Sequence, residues 1–237
     1  MKALISLWVW VATAVLTITL YFVVLFFVII SWPFDKSRKL AHAQCFWWSN
    51  CMLRMNPFWK LEVNGLENID HKKTYVIISN HQSMADIVVL YKIHTQFKWV
   101  SKESLFRVPF IGWCLSLTKH IKLARGEFSS IKKIYREAAE WLRKDMSVLF
   151  FPEGTRSETD EMNVFQNGAF KLAIKEKKPI LPICLKGTRE TIHKGSWVFR
   201  ATVKASLTVL PAIETSHLSP GDFALLRDEV FAKINSA

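Results

Sequence analysis

Hydrophobic and polar positions divide the chain into two unlike parts. Residues 3–34 carry no charged side chain, an uninterrupted run of 32 rich in Val, Leu, Ile, Phe and Trp. A bilayer-spanning helix needs about 20 apolar residues, and a helix reaching Ser31, just before Trp32 and Pro33, would be roughly 43 Å long. The run exceeds the roughly 7 to 15 residues of a signal-peptide core and no small-residue cleavage site follows it, which favours a retained anchor. Residues 35–55 mix Lys and Arg with Leu40, Phe46, Trp47, Trp48, Met52 and Leu53. That mixture suits the headgroup boundary, so an interfacial helix is expected there. The first segment could cross the bilayer or bend back within one leaflet, and the pattern is compatible with both.

After Pro57 short apolar runs alternate with polar helical stretches. Candidate strands are residues 60–63, 74–79, 97–100, 121–123, 147–151, 180–185 and 201–210, mostly β-branched or aromatic. Residues 129–144 place Ile131, Ile134, Tyr135, Ala138 and Leu142 on one helical face with charges opposite. Ser129 or Ser130 is the expected cap of that helix, and Asp222 the cap of a final helix over about 223–234. Alternating strands and helices predict an α/β fold, a largely parallel or mixed sheet flanked by helices. The expected division is a membrane anchor with its interfacial helix at 1–56 and one catalytic-size domain at 57–237.

Composition sharpens this picture. With 31 aromatics (10 Trp, 4 Tyr, 17 Phe) and only 8 Gly and 8 Pro, the chain is neither disordered nor low-complexity. The net charge of +12 favours anionic partners: phosphate esters, nucleic acid or an acidic bilayer face. No helix-turn-helix, finger or RNA-binding signature accompanies the charge, so nucleic acid is not expected. Cys45, Cys51, Cys114 and Cys184 form no C-x-x-C pair, and no metal-ligand cluster is visible. They read as reduced thiols. Only Lys2 precedes the apolar run whereas Lys36, Arg38, Lys39 and Arg54 follow it, so the bulk of the chain is expected on the cytoplasmic side.

Two motifs follow predicted strands, where α/β sheets carry their reactive groups. The first is Asn80-His81-Gln82-Ser83-Met84-Ala85-Asp86. Histidine suits proton transfer at neutral pH, and a carboxylate on its far nitrogen would fix the tautomer and stabilise the imidazolium. Five residues cannot align on one straight helix face, so His81 must lie in the turn and Asp86 on the first helical turns. The second is Phe151-Pro152-Glu153-Gly154-Thr155-Arg156-Ser157. Its Gly permits close backbone approach, its Thr adds a hydroxyl and its Arg offers a planar fork to phosphate oxygens. Taken singly, each also fits a structural role: Asn80 or Ser79 as a helix cap with Asp86 offsetting the dipole, and Arg156 paired with Glu153 or Glu158.

Taken together, Asn-His-Gln-Ser-x-x-Asp and, about 70 residues later, Phe-Pro-Glu-Gly-Thr-Arg-Ser resemble the membrane-bound glycerolipid acyltransferases, with the bacterial 1-acylglycerol-3-phosphate enzymes most similar. The resemblance covers roughly residues 57–215. It implies the glycerolipid acyltransferase fold, His81 and Asp86 as the catalytic dyad, and Glu153, Gly154, Thr155 and Arg156 as the acceptor-phosphate motif. The segment from Lys102 to Gly112 is similar to the family's intermediate segment, whose lysine contributes to phosphate binding. Residues 121–126 align with its second block, except that Ala124 replaces the usual aspartate before Arg125. Gln166 stands where a lysine is common, and Ile180-Leu181-Pro182-Ile183 resembles the apolar fourth block.

The activity so implied moves an acyl group from a thioester, acyl-CoA or acyl carrier protein, to the free hydroxyl of 1-acylglycerol 3-phosphate, giving phosphatidic acid. Another lysophospholipid or glycerol 3-phosphate is the alternative acceptor, and a noncatalytic membrane lipid-binding protein the less favoured alternative function. The partners implied are the bilayer and the lysophospholipid, with no bound cofactor and no metal, at a membrane such as the bacterial inner membrane. A lipid hydrolase is disfavoured because no G-x-S-x-G elbow exists in the chain.

Overall fold

The computed structural model describes residues 2–124, 128–157, 161–192 and 195–237. Two helices come first: α1 (Lys2–Ile30) and α2 (Lys39–Arg54). There follow β1 (Trp59–Asn64), β2 (Val76–Ser79), α3 (Ala85–Leu90), β3 (Phe97–Lys102), α4 (Glu103–Phe106), α5 (Ile111–Leu117) and β4 (Ile121–Leu123). The chain continues through α6 (Phe128–Arg143), β5 (Ser147–Phe150), α7 (Gly168–Glu176), β6 (Ile180–Lys186), β7 (Val203–Val209) and α8 (Phe223–Ser236). All seven expected strands form within a few residues of their expected bounds.

The strands make one mixed sheet in the order β1-β7-β6-β2-β5-β3-β4. Neighbours run parallel except β6 and β7, which are antiparallel. β2, β5 and most of β6 are buried at every position because helices cover both faces. One core joins α1, α2, α3 and α5 to the sheet through Val24, Trp48, Ile77, Leu149 and Leu181. The other joins α6, α7 and α8 to it through Ala138, Phe150, Phe170 and Val230.

The apolar helix α1 is unbroken, and it is long and apolar enough to cross a membrane. It buries a stripe at Ser6, Val9, Thr17, Leu20, Val24 and Val28, spaced by turns of the helix, and leaves Leu4, Trp8, Val15, Phe22 and Phe26 exposed. Its start is docked by Trp10 Nε1, which donates to Trp197 O at 2.8 Å, and by Ser6 Oγ, which accepts from Phe199 N at 2.9 Å. At its far end the Asp35 carboxylate accepts from the Lys39 and Leu40 amides at 2.9 and 2.8 Å and so caps α2. α1 and the sheet share one core.

Three expected caps differ. Asp222 precedes α8, but its carboxylate accepts from Ser219 N at 2.7 Å and closes the short turn Pro220–Asp222 instead. α6 begins at Phe128, so Ser129 and Ser130 fall inside its first turn. Asn80 caps nothing: its side chain donates to Leu185 O and accepts from Leu185 N, both at 2.8 Å, tying the end of β2 to β6.

Candidate active site

Sheet order brings the two motifs together. Ile78 of β2 lies opposite Phe150 of β5 in a parallel pair, so both chains leave the sheet at the same end, side by side. His81 lies three residues past Ile78, and Glu153 three past Phe150.

His81 sits in the loop before α3, and Asp86 is the second residue of that helix. The His81 Nδ1 to Asp86 Oδ2 distance is 2.7 Å. The same oxygen accepts from the Gln82 and Ser83 amides at 2.6 and 2.9 Å, so the carboxylate is aimed by backbone as well as by the ring. Asp86 is fully buried, whereas the His81 side chain is 22% exposed. With Nδ1 on the carboxylate, Nε2 is the nitrogen left for chemistry. The ring stacks on Phe151 at 4.1 Å between centroids.

The residues of the second motif take different places. Gly154 has φ +71°, which favours glycine, and its amide donates to Phe151 O at 3.0 Å in a tight turn. Gly154, Thr155 and Arg156 line the same cavity as His81. Among the described residues the half-buried Arg156 guanidinium has no hydrogen-bond partner. Glu153, buried under this loop, is not part of the lining. Its Oε1 accepts from His81 N at 2.7 Å and its Oε2 from Asn163 N at 2.8 Å. Burial pushes the Glu153 carboxyl up from its ordinary range, opposed by these two amides. Ser157 closes the motif, its amide and hydroxyl both donating to His81 O at 2.9 and 3.2 Å.

Lys102 ends β3, which is parallel to β5, so it emerges at the same edge and lines the cavity. Arg125 lies outside the described residues. The sequence reading overlooked Ser157 and Asn80 as supports of the histidine loop, although both stand inside the two motifs. It also overlooked Thr188, whose hydroxyl donates to Gln82 Oε1 at 3.3 Å from beyond β6. No cluster of three or more His, Cys, Asp or Glu among the described residues is placed to hold a metal ion.

The cavity measures about 1430 Å³ and opens between α1, α2 and the strand ends. Its walls are largely apolar, including Val9, Trp48, Met52, Val88 and Leu105, and His81, Lys102 and Arg156 are among the polar residues that line it. An amphiphile with an anionic head and an aliphatic tail matches such a space. The dyad can remove a proton from a hydroxyl held at Nε2, and the loop at 154–156 can hold an anion.

A family model described as acyltransferase matches residues 60–186. The 1-acyl-sn-glycerol-3-phosphate acyltransferase of Pseudomonas aeruginosa is 39% identical over 74% of this chain and 68% of its own length. The chloroplastic 1-acyl-sn-glycerol-3-phosphate acyltransferase of Brassica napus is 37% identical over 69% of this chain and 47% of its own. The chain spans about half the length of the plant and algal relatives it matches. In fold it is similar to the crystal structure of the 1-acyl-sn-glycerophosphate (LPA) acyltransferase of Thermotoga maritima, with TM-score 0.81 and 24% identity over 99% of this chain and 93% of that one.

Proposed function

The chain belongs to the acyltransferase family, and on that premise we propose that it transfers a fatty acyl group from a thioester to the free hydroxyl of 1-acylglycerol 3-phosphate, giving phosphatidic acid. The observation that carries this reading is the His81–Asp86 pair at 2.7 Å, its histidine lining one cavity with the Arg156 loop. Neutral His81 takes the hydroxyl proton at Nε2 as that oxygen attacks the thioester carbonyl. Asp86 holds the tautomer and stabilises the imidazolium. The ester C–O bond forms, the C–S bond breaks, and the thiolate recovers the proton from His81.

Gly154, Thr155 and Arg156 hold the acceptor phosphate, with Lys102 at the neighbouring strand end and Arg125 as a further cation. Glu153 lies beneath them. Binding the headgroup there positions the hydroxyl at His81, a gain in effective concentration rather than new chemistry. The acyl chains are taken up by the apolar walls contributed by α1 and α2. The donor is acyl-CoA or acyl carrier protein, drawn by the basic surface.

Residues 1–56 anchor the enzyme at the bilayer through the exposed apolar side of α1, and the basic residues after α1 put the catalytic domain, 57–237, on the cytoplasmic face. The test is transfer of labelled acyl from acyl-CoA and from acyl carrier protein to lysophosphatidic acid, glycerol 3-phosphate and neutral-headgroup lysolipids in detergent. Transfer to lysophosphatidic acid that vanishes in His81→Ala supports the proposal. Preference for another acceptor overturns the headgroup assignment, and full activity in His81→Ala overturns the mechanism.

A further inference from the structure

We propose that Glu153 is a positioning residue for the base and not a ligand of the acceptor: together with Ser157 it grips the backbone N–H and C=O of His81. This rests on the reading of His81 as the general base. The Glu153 side chain is 6% exposed and both its oxygens are occupied, Oε1 by His81 N at 2.7 Å and Oε2 by Asn163 N at 2.8 Å. A buried carboxylate is also a poor neighbour for a phosphate, because like charges repel.

From the other end of the motif, the Ser157 amide and hydroxyl converge on His81 O at 2.9 and 3.2 Å. Both ends of the five-residue stretch thus rest on one residue, and Gly154, Thr155 and Arg156 arch between them. Phe151 supports the ring of the same histidine at 4.1 Å. Backbone N–H, backbone C=O and imidazole face are therefore fixed by one motif, and Asp86 fixes the remaining degree of freedom at Nδ1. A base displaced by about 1 Å loses on the order of 100-fold in rate, which sets the scale of what this grip protects.

The test compares Glu153→Gln, Glu153→Ala and Ser157→Ala with Arg156→Ala, measuring kcat and the acceptor KM with lysophosphatidic acid. A glutamine offers one acceptor oxygen and turns its amide donor toward the second N–H, so one of the two bonds is lost; alanine loses both. The expected kcat loss is about 10-fold for Glu153→Gln and about 100-fold for Glu153→Ala, at an acceptor KM within about 3-fold of wild type. Arg156→Ala is expected to do the reverse and raise the acceptor KM. Ser157→Ala keeps the amide bond to His81 O and should lose about 2- to 5-fold in kcat at unchanged KM. A Glu153→Gln enzyme with normal kcat and an acceptor KM raised about 10-fold or more would overturn the proposal.

A second readout does not depend on the acceptor. Carbethoxylation of His81 by diethyl pyrocarbonate, mapped by peptide mass spectrometry, should be about 3-fold or more faster in Glu153→Gln and unchanged in Arg156→Ala. Equal rates in wild type and Glu153→Gln overturn the proposal. Where wild type fails to acylate lysophosphatidic acid, the functional reading falls and this rate alone decides the role of Glu153. If the Glu153 variants do not fold, Ser157→Ala decides it: an unchanged kcat and an unchanged His81 rate overturn the grip.

Discussion

Two buried polar clusters adjoin the sheet, one past the carboxyl ends of β2 and β5 and one around the start of β3, and they are built on opposite principles. At the strand ends His81, Asp86, Glu153 and Ser157 bond one another through amides and carboxylates within two short motifs, although the buried Asp86 Oδ1 has no hydrogen-bond partner among the described residues. At the junction with α1 and α2, His42, Gln96, Lys98 and His120 come from three separate stretches of the chain, and Gln96 and Lys98 hold backbone carbonyls there. Lys98 Nζ, fully buried, donates to Ser37 O at 2.8 Å and Thr118 O at 2.6 Å, and Gln96 Nε2 donates to Lys39 O at 3.1 Å. The first cluster leaves one ring nitrogen for a substrate. The second leaves two ring nitrogens, His42 Nε2 and His120 Nε2, without a hydrogen-bond partner among the described residues. Polarity in the first orients one imidazole toward the cavity; in the second it ties α2 and the α1–α2 connection to β3.

The contrast breaks first at His81. Replacing it by Ala should remove the proton-transfer term, about 10² to 10⁴ in rate, while leaving the melting temperature near that of wild type. Assays beside a thermal melt separate the two, and loss of activity through unfolding would show the site cluster to be structural. The mirror-image prediction falls on Lys98. Lys98→Ala strands the Ser37 and Thr118 carbonyls and empties the space beside Trp141, whose ring lies 5.1 Å from Nζ. A loss of about 2 to 4 kcal/mol is expected, with kcat per folded molecule nearly unchanged. Denaturant titration in detergent, with activity normalised to the folded fraction, checks it; a kcat loss larger than the folded fraction explains would show that the junction reaches the site. Smaller again is Arg156→Ala, which should raise the acceptor KM about 10- to 100-fold through the lost charge-assisted bonds. A headgroup series would show that penalty shrinking for acceptors without a phosphate.

The difference between the clusters also explains what could be read beforehand. His81 and Asp86 sit five positions apart, and the loop from Glu153 to Ser157 is continuous, so type and spacing announced them. The junction offers no such spacing: His42 is on α2, Gln96 and Lys98 belong to the start of β3, and His120 precedes β4. One sign was present. A lysine between Phe97 and Trp99 in a strand of a sheet covered on both faces must be either buried or at a rim. Strand positions were legible from β-branched and aromatic runs. Helix caps were less so, because Asp35 and Asp222 place their carboxylates on amides that only the folded turn brings near. The docking of α1 along the domain was invisible for a plainer reason: a helix that is apolar all round carries no pattern to say which stripe is covered.

The smallest expected effect separates the clusters by pH. Gln96 Nε2 bonds a carbonyl, so its Oε1 faces His42 Nδ1 at 2.7 Å and that nitrogen carries the proton. His120 Nδ1 accepts from Trp99 N at 3.2 Å, so its proton is on Nε2. Both rings are neutral in the fold. Burial first, and then the charge of Lys98, pull His42 down to about 3; burial and His42 pull His120 well below its ordinary value. Below pH 6.5 the unfolded chain therefore binds protons that the folded chain refuses. Unfolding free energy is flat in these groups above pH 6.5 and falls as pH drops toward 3, by about 1.4 kcal/mol per pH unit for each histidine. Lys98, lowered to about 7 chiefly by burial, is mostly protonated in both states below pH 6.5 and adds little slope there. His42→Gln should thus lose about 1.4 kcal/mol less than wild type for each unit between pH 6.5 and 5, whatever its stability at pH 7.5. Comparing slopes cancels the opposing titration of Glu153, which both proteins share. Parallel slopes in denaturant titrations would mean that His42 is protonated inside the fold, and the junction would then be an ion cluster rather than a neutral one.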